Sequence, residues 1–462
     1  MSAGSDFAGR SVCVAGLGVS GRAAAAVLAG RGAHVTIVDA RDGQAQREHA
    51  GPLEALGVTV RLGDGETLPA GTETVITSPG WRPDAPLLTA AQAAGVEILG
   101  EVELAWRLRG GAPWLAVTGT NGKTTVVRML AQILAAAGLK SVAVGNVGTP
   151  IVEAVLGDYD VLAVELSSYQ LHWSSTLAPH AAAILNVAPD HIDWHGSLEA
   201  YAADKGKIFG PGTIAVVNAD DAWPPRLAEH ADRVVGFTLG IPAPGRLGVV
   251  EHLLVDRAFV ADPVREATEL AGIDDVRPFA PHNVANALAA AALARAYGVP
   301  PEAVREGLRA FRPDPHRIAL VATVGEVGYI DDSKATNPHA AAASLSAYTS
   351  VVWIAGGLLK GADVEDLVRS CSPRLRGAVL IGTDRAQIAA ALARHAPNVP
   401  VVDVPDLDTG AMDSVVIEAA GMARPGDTVL LAPAGASFDM FTSYGARGDA
   451  FAAAVRRLAE SR

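Results

Sequence analysis

The chain reads as an α/β protein of about three domains, and three observations carry that reading. Apolar strand-like runs alternate with Ala-rich helical stretches over its whole length, the pattern of parallel sheets joined by crossover helices. Two glycine loops, at 16–21 and 119–122, each lie between an apolar run and a helical pattern. Breaks at Gly110-Gly111-Ala112-Pro113 and Arg312-Pro313-Asp314-Pro315 divide the 462 residues into 1–110, 111–313 and 314–462, each long enough to bury a core.

The first domain opens with an apolar run over 11–15 and turns through Gly16-Leu17-Gly18-Val19-Ser20-Gly21. It enters a helix from Arg22 and returns as a strand over 33–38 before Asp39, a βαβ unit. Gly16, Gly18 and Gly21 satisfy the dinucleotide fingerprint, and Asp39 stands where a ribose-binding carboxylate is expected. Alone this suggests NAD. The same loop serves any pyrophosphate at a helix N-terminus, and Arg41 adds a charge for another phosphate or a nucleobase edge. A glycine turn that only packs its helix is the plain alternative. Val58-Thr59-Val60 and Thr74-Val75-Ile76-Thr77 extend the sheet.

In the second domain an apolar strand, 114–117, runs into Thr118-Gly119-Thr120-Asn121-Gly122-Lys123-Thr124-Thr125, followed by a helical pattern over 126–134. Small residues there let backbone N–H groups face phosphate oxygens, Lys123 adds a positive charge, and the Thr124 hydroxyl can ligate Mg²⁺. Val117 stands where the full phosphate-loop pattern has glycine. The apolar run 161–164 ends in Glu165, a candidate metal ligand, with capping of the next turn as the alternative. His191, in the polar loop Asn186-Val187-Ala188-Pro189-Asp190-His191, is placed to bind Mg²⁺ or move a proton, or to hold the loop by hydrogen bonds. On composition alone Lys205 and Lys207 read as exposed helix lysines. Asn283 and Asn286 share one helix face, a spacing that also suits N-capping.

The third domain carries three polar strand-end loops, Asp331-Asp332-Ser333-Lys334-Ala335-Thr336-Asn337, Gly356-Gly357-Leu358-Leu359-Lys360-Gly361 and Pro433-Ala434-Gly435-Ala436-Ser437-Phe438-Asp439. Each is richer in functional groups than a turn requires, so together they suggest one ligand-binding face.

Half the residues are hydrophobic, mean hydropathy is +0.25 and the formal net charge is −13. That charge repels nucleic acid and anionic membranes, and no basic patch offsets it, so small-molecule partners are expected. The first residues lack a basic and an apolar signal region, and no run approaches a membrane span, so a cytoplasmic protein is expected. Cys13 in a strand pattern and Cys371 in a Ser-Cys-Ser loop leave no disulfide framework or thiolate cage.

Taken together, Gly119-Thr120-Asn121-Gly122-Lys123-Thr124-Thr125, Glu165-Leu166-Ser167-Ser168, His282-Asn283-Val284-Ala285-Asn286 and Asp332-Ser333-Lys334-Ala335-Thr336-Asn337 closely resemble the Mur ligase family over essentially the whole chain. The Asp332–Asn337 run, the Gly16-Leu17-Gly18 loop and Ser437-Phe438-Asp439 are similar to the branch that adds D-glutamate. A sister ligase adding another amino acid is the nearest rival, ahead of an NAD-dependent oxidoreductase or a non-catalytic nucleotide-binding module.

The resemblance implies a Rossmann-like N-terminal domain for the UDP-sugar, a central P-loop ATPase-like domain with a parallel sheet, and a C-terminal Rossmann-like domain for D-glutamate. It implies a monomer that uses ATP, with two Mg²⁺ or substituting Mn²⁺, to join D-glutamate to UDP-N-acetylmuramoyl-L-alanine through an acyl phosphate. Lys123 would hold the β- and γ-phosphates, Thr124 and Glu165 one metal, and His191 the second metal and the nucleotide-sugar end. Lys205 matches a family lysine that becomes a carbamate and so turns from a cation into an oxygen ligand. Asn283, Asn286, Arg317, Asp332 and Lys334 would contact ATP beside the glycine loop. Thr336, Lys360, Ser437, Phe438 and Tyr444 would line the D-glutamate pocket. Val19, Ser20, Asp39, Arg41, Ser78 and Asn146 would meet the UDP-sugar. The sequence departs from the family pattern at Ala40, where a Thr can contact uracil, and at Tyr444, which is Phe in some relatives.

Overall fold

The computed structural model describes residues 7–406 and 408–461. Strands β1 (Ser11–Ala15), β2 (His34–Asp39), β3 (Thr59–Leu62), β4 (Thr74–Thr77) and β5 (Glu97–Gly100) form a parallel sheet in the order β3-β2-β1-β4-β5. The order reverses between β1 and β4, so the crevice at the carboxyl end of β1 lies beside the Gly16 loop. The helix after that loop is Val19–Gly30, three residues longer at its start than the sequence pattern suggests. Its first turn carries small and polar residues, which mask the apolar period until Ala23.

The central sheet holds β6 (Trp114–Thr118), β7 (Ser141–Gly145), β8 (Val161–Glu165), β9 (Ala181–Ile184), β10 (Ile214–Asn218), β11 (Arg233–Phe237), β12 (Arg246–Val250), β13 (Leu253–Asp256) and β14 (Thr268–Gly272). Their order is β14-β13-β12-β11-β10-β9-β6-β8-β7, parallel except where β13 turns back on both neighbours. β6, β8 and β9 are buried along their length and read as continuous apolar runs, as strands covered on both faces do.

The break expected near 110 falls at the link 109–113, where the chain passes from the first sheet to the second. The two sheets nevertheless share one apolar core, from Val14 and Ile37 through Leu104 and Trp114 to Leu171. Trp106 meets Trp114 edge to face across that link, centroids 5.1 Å apart. The helix Glu101–Leu108 also buries Glu103, which accepts hydrogen bonds from the Ser175 and Thr176 N–H groups.

The chain packs as two compact units. One runs through Val187, His191–Asp275 and Ala285–Ala310, and the other comprises Ala188–Asp190, Val276–Val284 and the chain from Phe311. The second unit contains β15 (Ala319–Val324), β16 (Val327–Asp331), β17 (Val351–Gly356), β18 (Leu375–Ile381), β19 (Val401–Asp403) and β20 (Thr428–Ala434). They are ordered β15-β16-β20-β17-β18-β19, with only β15 antiparallel. The carboxyl ends of β16, β20 and β17 lie side by side, so the three polar loops of this unit leave one edge of the sheet. Cys371 ends the helix Glu365–Cys371 rather than lying in a loop, because Leu367, Val368 and Cys371 fall on one buried face. Burial pushes both Cys13 and Cys371 thiols up to about 12, so both are inert.

Candidate active site

The loop between β6 and the helix Lys123–Ala136 is shaped by backbone that only glycine adopts freely. Gly122 has φ +89°, and a Cβ there would stand 2.5 Å from Asn286 Oδ1. The helix begins at Lys123, earlier than the apolar period suggests, so Thr124 and Thr125 occupy its first turn and their N–H groups lie at its positive end. Lys123 Nζ donates to the carbonyls of Gly119 at 2.7 Å and Thr120 at 2.9 Å.

Asn186, after β9, braces this loop. Its carbonyl accepts from Thr120 N–H at 3.0 Å, its side-chain oxygen from Asn121 N–H at 2.8 Å, and its amide donates to Asn121 O at 3.1 Å. Sequence reasoning gave Asn186 no role. Its signal was its position at the end of an apolar strand, shared with every other polar residue of that loop.

Lys205 is 1% exposed, which overturns its reading as a surface lysine. It lies on the inward face of the helix Leu198–Gly206, with Nζ donating to Gly119 O at 3.0 Å and standing 4.3 Å from the Tyr201 ring centre. Tyr201 OH lies 3.2 Å from Thr120 Oγ1. Lys207 instead pairs with Asp204 and remains partly exposed.

Glu165 ends β8, in register with Val117 on one side and Gly145 on the other. Its Oε1 accepts from Asn146 Nδ2 at 2.8 Å, and its Oε2 is buried with no hydrogen-bond partner among the described residues. Capping of the next helix belongs to Ser167, which forms a capping box with Gln170, so Glu165 is not the cap. A buried carboxylate oxygen without a donor, at the end of the strand paired with β6, suits a hard divalent cation. Asn146, expected at the UDP-sugar end, is held beside Glu165 by its amide contact. His191 adopts φ 55° ahead of the short helix Ile192–His195 and packs on the Tyr169 ring, centroids 4.9 Å apart. The carboxyl ends of β6, β8 and β9 thus supply Lys123, Glu165 and the His191 loop.

At the first sheet, a Cβ on Gly21 would fall 1.8 Å from Gly16 O, so the loop and its helix approach as closely as backbone allows. Val19 is exposed at the helix start with Ser20 behind it, and Ser78 Oγ lies 3.5 Å from Gly16 O. Asp39 accepts from Leu17 N–H at 2.8 Å and Arg41 N–H at 2.9 Å, and pairs with the Arg41 guanidinium. Burial pushes its carboxyl up, but these hydrogen bonds outweigh it and hold Asp39 below the usual carboxylate range.

In the second unit, Arg447 is 1% exposed and ties two loops together. Its Nε and Nη2 donate to Ser333 Oγ and O at 3.0 and 2.9 Å, and its Nη1 to Gly435 O at 3.1 Å. Burial lowers it to about 10, so it stays a cation. The loops after β17 and β20 are joined by paired backbone hydrogen bonds between Leu358 and Ala436. Asp332 is buried, accepting from Ile318 N–H and Ser344 Oγ, and burial raises its carboxyl to about 6. Lys334 Nζ sits 4.0 Å from the Tyr444 ring centre, and Arg317 Nε lies 3.9 Å from Asp314 Oδ2. Lys360 is exposed at φ 54°, Phe438 is exposed, Ser437 is buried, and Thr336 N–H donates to Lys334 O. Asn283 donates to Pro278 O at 3.0 Å from within the helix Pro281–Ala296, so it does not cap that helix.

Family models match along the chain: the Mur ligase MurD-like N-terminal domain over 10–100, the Mur ligase middle domain over 117–294, and the Mur ligase glutamate ligase domain over 316–435. The chain is 65% identical over 463 residues to a UDP-N-acetylmuramoylalanine–D-glutamate ligase of Thermobifida fusca, covering 98% of this chain and 100% of the relative. It is 64% identical to the enzyme of that name from Streptomyces coelicolor, covering 98% and 99%. Among solved structures, a pseudomurein peptide ligase type C from Methanothermus fervidus superimposes with TM-score 0.59 at 18% identity, covering 97% and 100%. A UDP-N-acetylmuramate–alanine ligase from Thermotoga maritima gives 0.56 at 21%, covering 98% and 100%. At those identities the structures share the fold alone.

Proposed function

From the premise that this chain belongs to the Mur ligase family, on its D-glutamate-adding branch, we infer that it joins D-glutamate to UDP-N-acetylmuramoyl-L-alanine with ATP, a step of peptidoglycan precursor synthesis. The observation that carries the reading is near-complete coverage by D-glutamate ligases at 65% and 64% identity. The soluble nucleotide substrates place this chemistry in the cytoplasm. The domain roles follow 1–110 for the UDP-sugar, 111–313 for ATP and 314–462 for D-glutamate.

ATP phosphorylates the alanine carboxylate, the D-glutamate amine attacks the acyl phosphate, and phosphate leaves from a tetrahedral intermediate. In this reading Lys123 swings from the Gly119 carbonyl to the β- and γ-phosphates, which the N–H groups of 119–125 also meet. The Asn286 side chain stands beside the Gly122 turn. Thr124, Glu165, His191 and Lys205 as a carbamate would hold Mg²⁺, which would supply charge neutralisation at the transferring oxygens. Asn146 keeps the Glu165 carboxylate oriented through the 2.8 Å amide contact. Asn283, Arg317, Asp332 and Lys334 complete the ATP contacts, and Thr336, Lys360, Ser437, Phe438 and Tyr444 select D-glutamate. Arg447 positions the Ser333 and Gly435 loops that carry several of these groups.

The test is phosphate release by purified protein given ATP, the UDP-muramoyl-alanine acceptor and a panel of amino acids. Turnover with D-glutamate is expected. Turnover with L-alanine in its place would reassign the chain to a sister ligase.

A further inference from the structure

His172 and His195 direct their Nδ1 atoms at the same oxygen, Asp204 Oδ2, from 2.8 and 2.9 Å, and the three potential ligand atoms lie within 4.8 Å of one another. No step of the ligase reaction above uses them. We propose that His172, His195 and Asp204 form a metal site separate from the magnesium site, one that takes a borderline divalent cation such as Zn²⁺ in preference to Mg²⁺. The proposal stands apart from the ligase reading.

Two imidazoles and one carboxylate favour Zn²⁺ or Co²⁺, whereas Mg²⁺ prefers oxygen ligands. Tetrahedral zinc with bonds near 2.1 Å separates its ligand atoms by about 3.4 Å, so the two N···O distances have to open by roughly 0.5–0.6 Å. The outer shell permits this. Ser168 Oγ lies 3.0 Å from His195 Nε2, and a hydroxyl both donates and accepts. It therefore supports the ring with the proton on Nδ1, facing Asp204, or on Nε2, leaving Nδ1 for the metal. The His195 side chain is fully buried, its ring centre 4.5 Å from that of Trp194 and 5.2 Å from that of Tyr201, which fixes its aim.

An open groove lies against the cluster: His172 and Lys207, both in contact with Asp204, line about 520 Å³ of it with Trp173 and Phe209. Lys207 Nζ, 2.8 Å from Asp204 Oδ1 and from His172 O, holds the charge in the metal's absence and so competes with it.

Equilibrium dialysis of the tag-free full chain against Zn²⁺ in excess Mg²⁺ tests the site. A single tightly held ion is expected, with His172→Gln weakening it at least about tenfold and Lys207→Met tightening it. Glu165→Gln, in the ligase site, should leave it unchanged. Co²⁺ on the wild-type chain should give the strong visible absorption of a tetrahedral site, a readout independent of whether any variant folds. An adventitious surface ion, indifferent to His172→Gln, would overturn the proposal, as would no saturable binding, loss of the ion in Glu165→Gln, or weaker binding in Lys207→Met.

Discussion

Lys123 and Lys205 donate to one acceptor, the Gly119 carbonyl oxygen, from 2.7 and 3.0 Å. Two ammonium groups brought to one carbonyl repel each other, and Lys205 is buried, where an unmodified cation is costly. Adding CO₂ to its neutral amine, with loss of a proton, turns that repulsion into attraction for Lys123 or a metal. Lys205→Ala should therefore lower kcat about a hundredfold or more while ATP still binds, and short carboxylic acids should restore part of the rate. Steady-state phosphate release with and without acetate decides, and an unrescued variant with full activity would remove Lys205 from the chemistry.

Gly122→Ala combines two faults, a side chain at φ +89° and a methyl carbon 2.5 Å from Asn286 Oδ1. Strain of about 1–2 kcal/mol at such a position, plus displacement of Asn286, should raise KM for ATP at least about tenfold. Adding Asn286→Ala removes the clash but not the strain, so the double variant should bind ATP no worse than Gly122→Ala. Additive losses in nucleotide titrations would show that the two residues act apart.

The strand–loop–helix turn at 118–125 was legible because β6, the loop and its helix are contiguous in sequence, so local spacing carries the geometry. Glu165 was legible as the polar end of an apolar run. Lys205 was not legible from composition: its neighbours Asp204 and Lys207 are charged, and only packing of the helix Leu198–Gly206 decides which faces inward. The brace by Asn186 and the knot at Arg447 join segments far apart in the chain, which no local pattern encodes. The same holds for the core that fuses the first two sheets, since the glycine-rich link at 109–113 looks like a domain break whatever packs around it.

Glu101 offers a stability test outside the reaction. Its carboxylate accepts from Val152 N–H at 2.8 Å, yet burial dominates and raises it from the usual value to about 7. The folded protein thus holds a proton that the unfolded chain releases above about pH 4.5. Its stabilising effect is present below that pH and lost as pH rises through 7, on the order of 3 kcal/mol. Glu101→Gln keeps an acceptor for Val152 and carries no charge, so its melting temperature should exceed that of the parent at pH 8 and match it near pH 4. Equal melting curves at both pH values would contradict the burial argument.

Glu165 should show the opposite balance between stability and activity. With Oε2 buried and unpartnered, the carboxylate destabilises the metal-free protein, an effect that cation binding there would offset. Glu165→Gln is neutral and keeps an oxygen for Asn146 Nδ2, so in chelator its melting temperature should equal or exceed that of the parent. Magnesium with ATP should then stabilise the parent markedly and the variant little, while kcat falls about a hundredfold. A purely structural glutamate would give the reverse, a lower melting temperature in chelator and an undiminished response to magnesium.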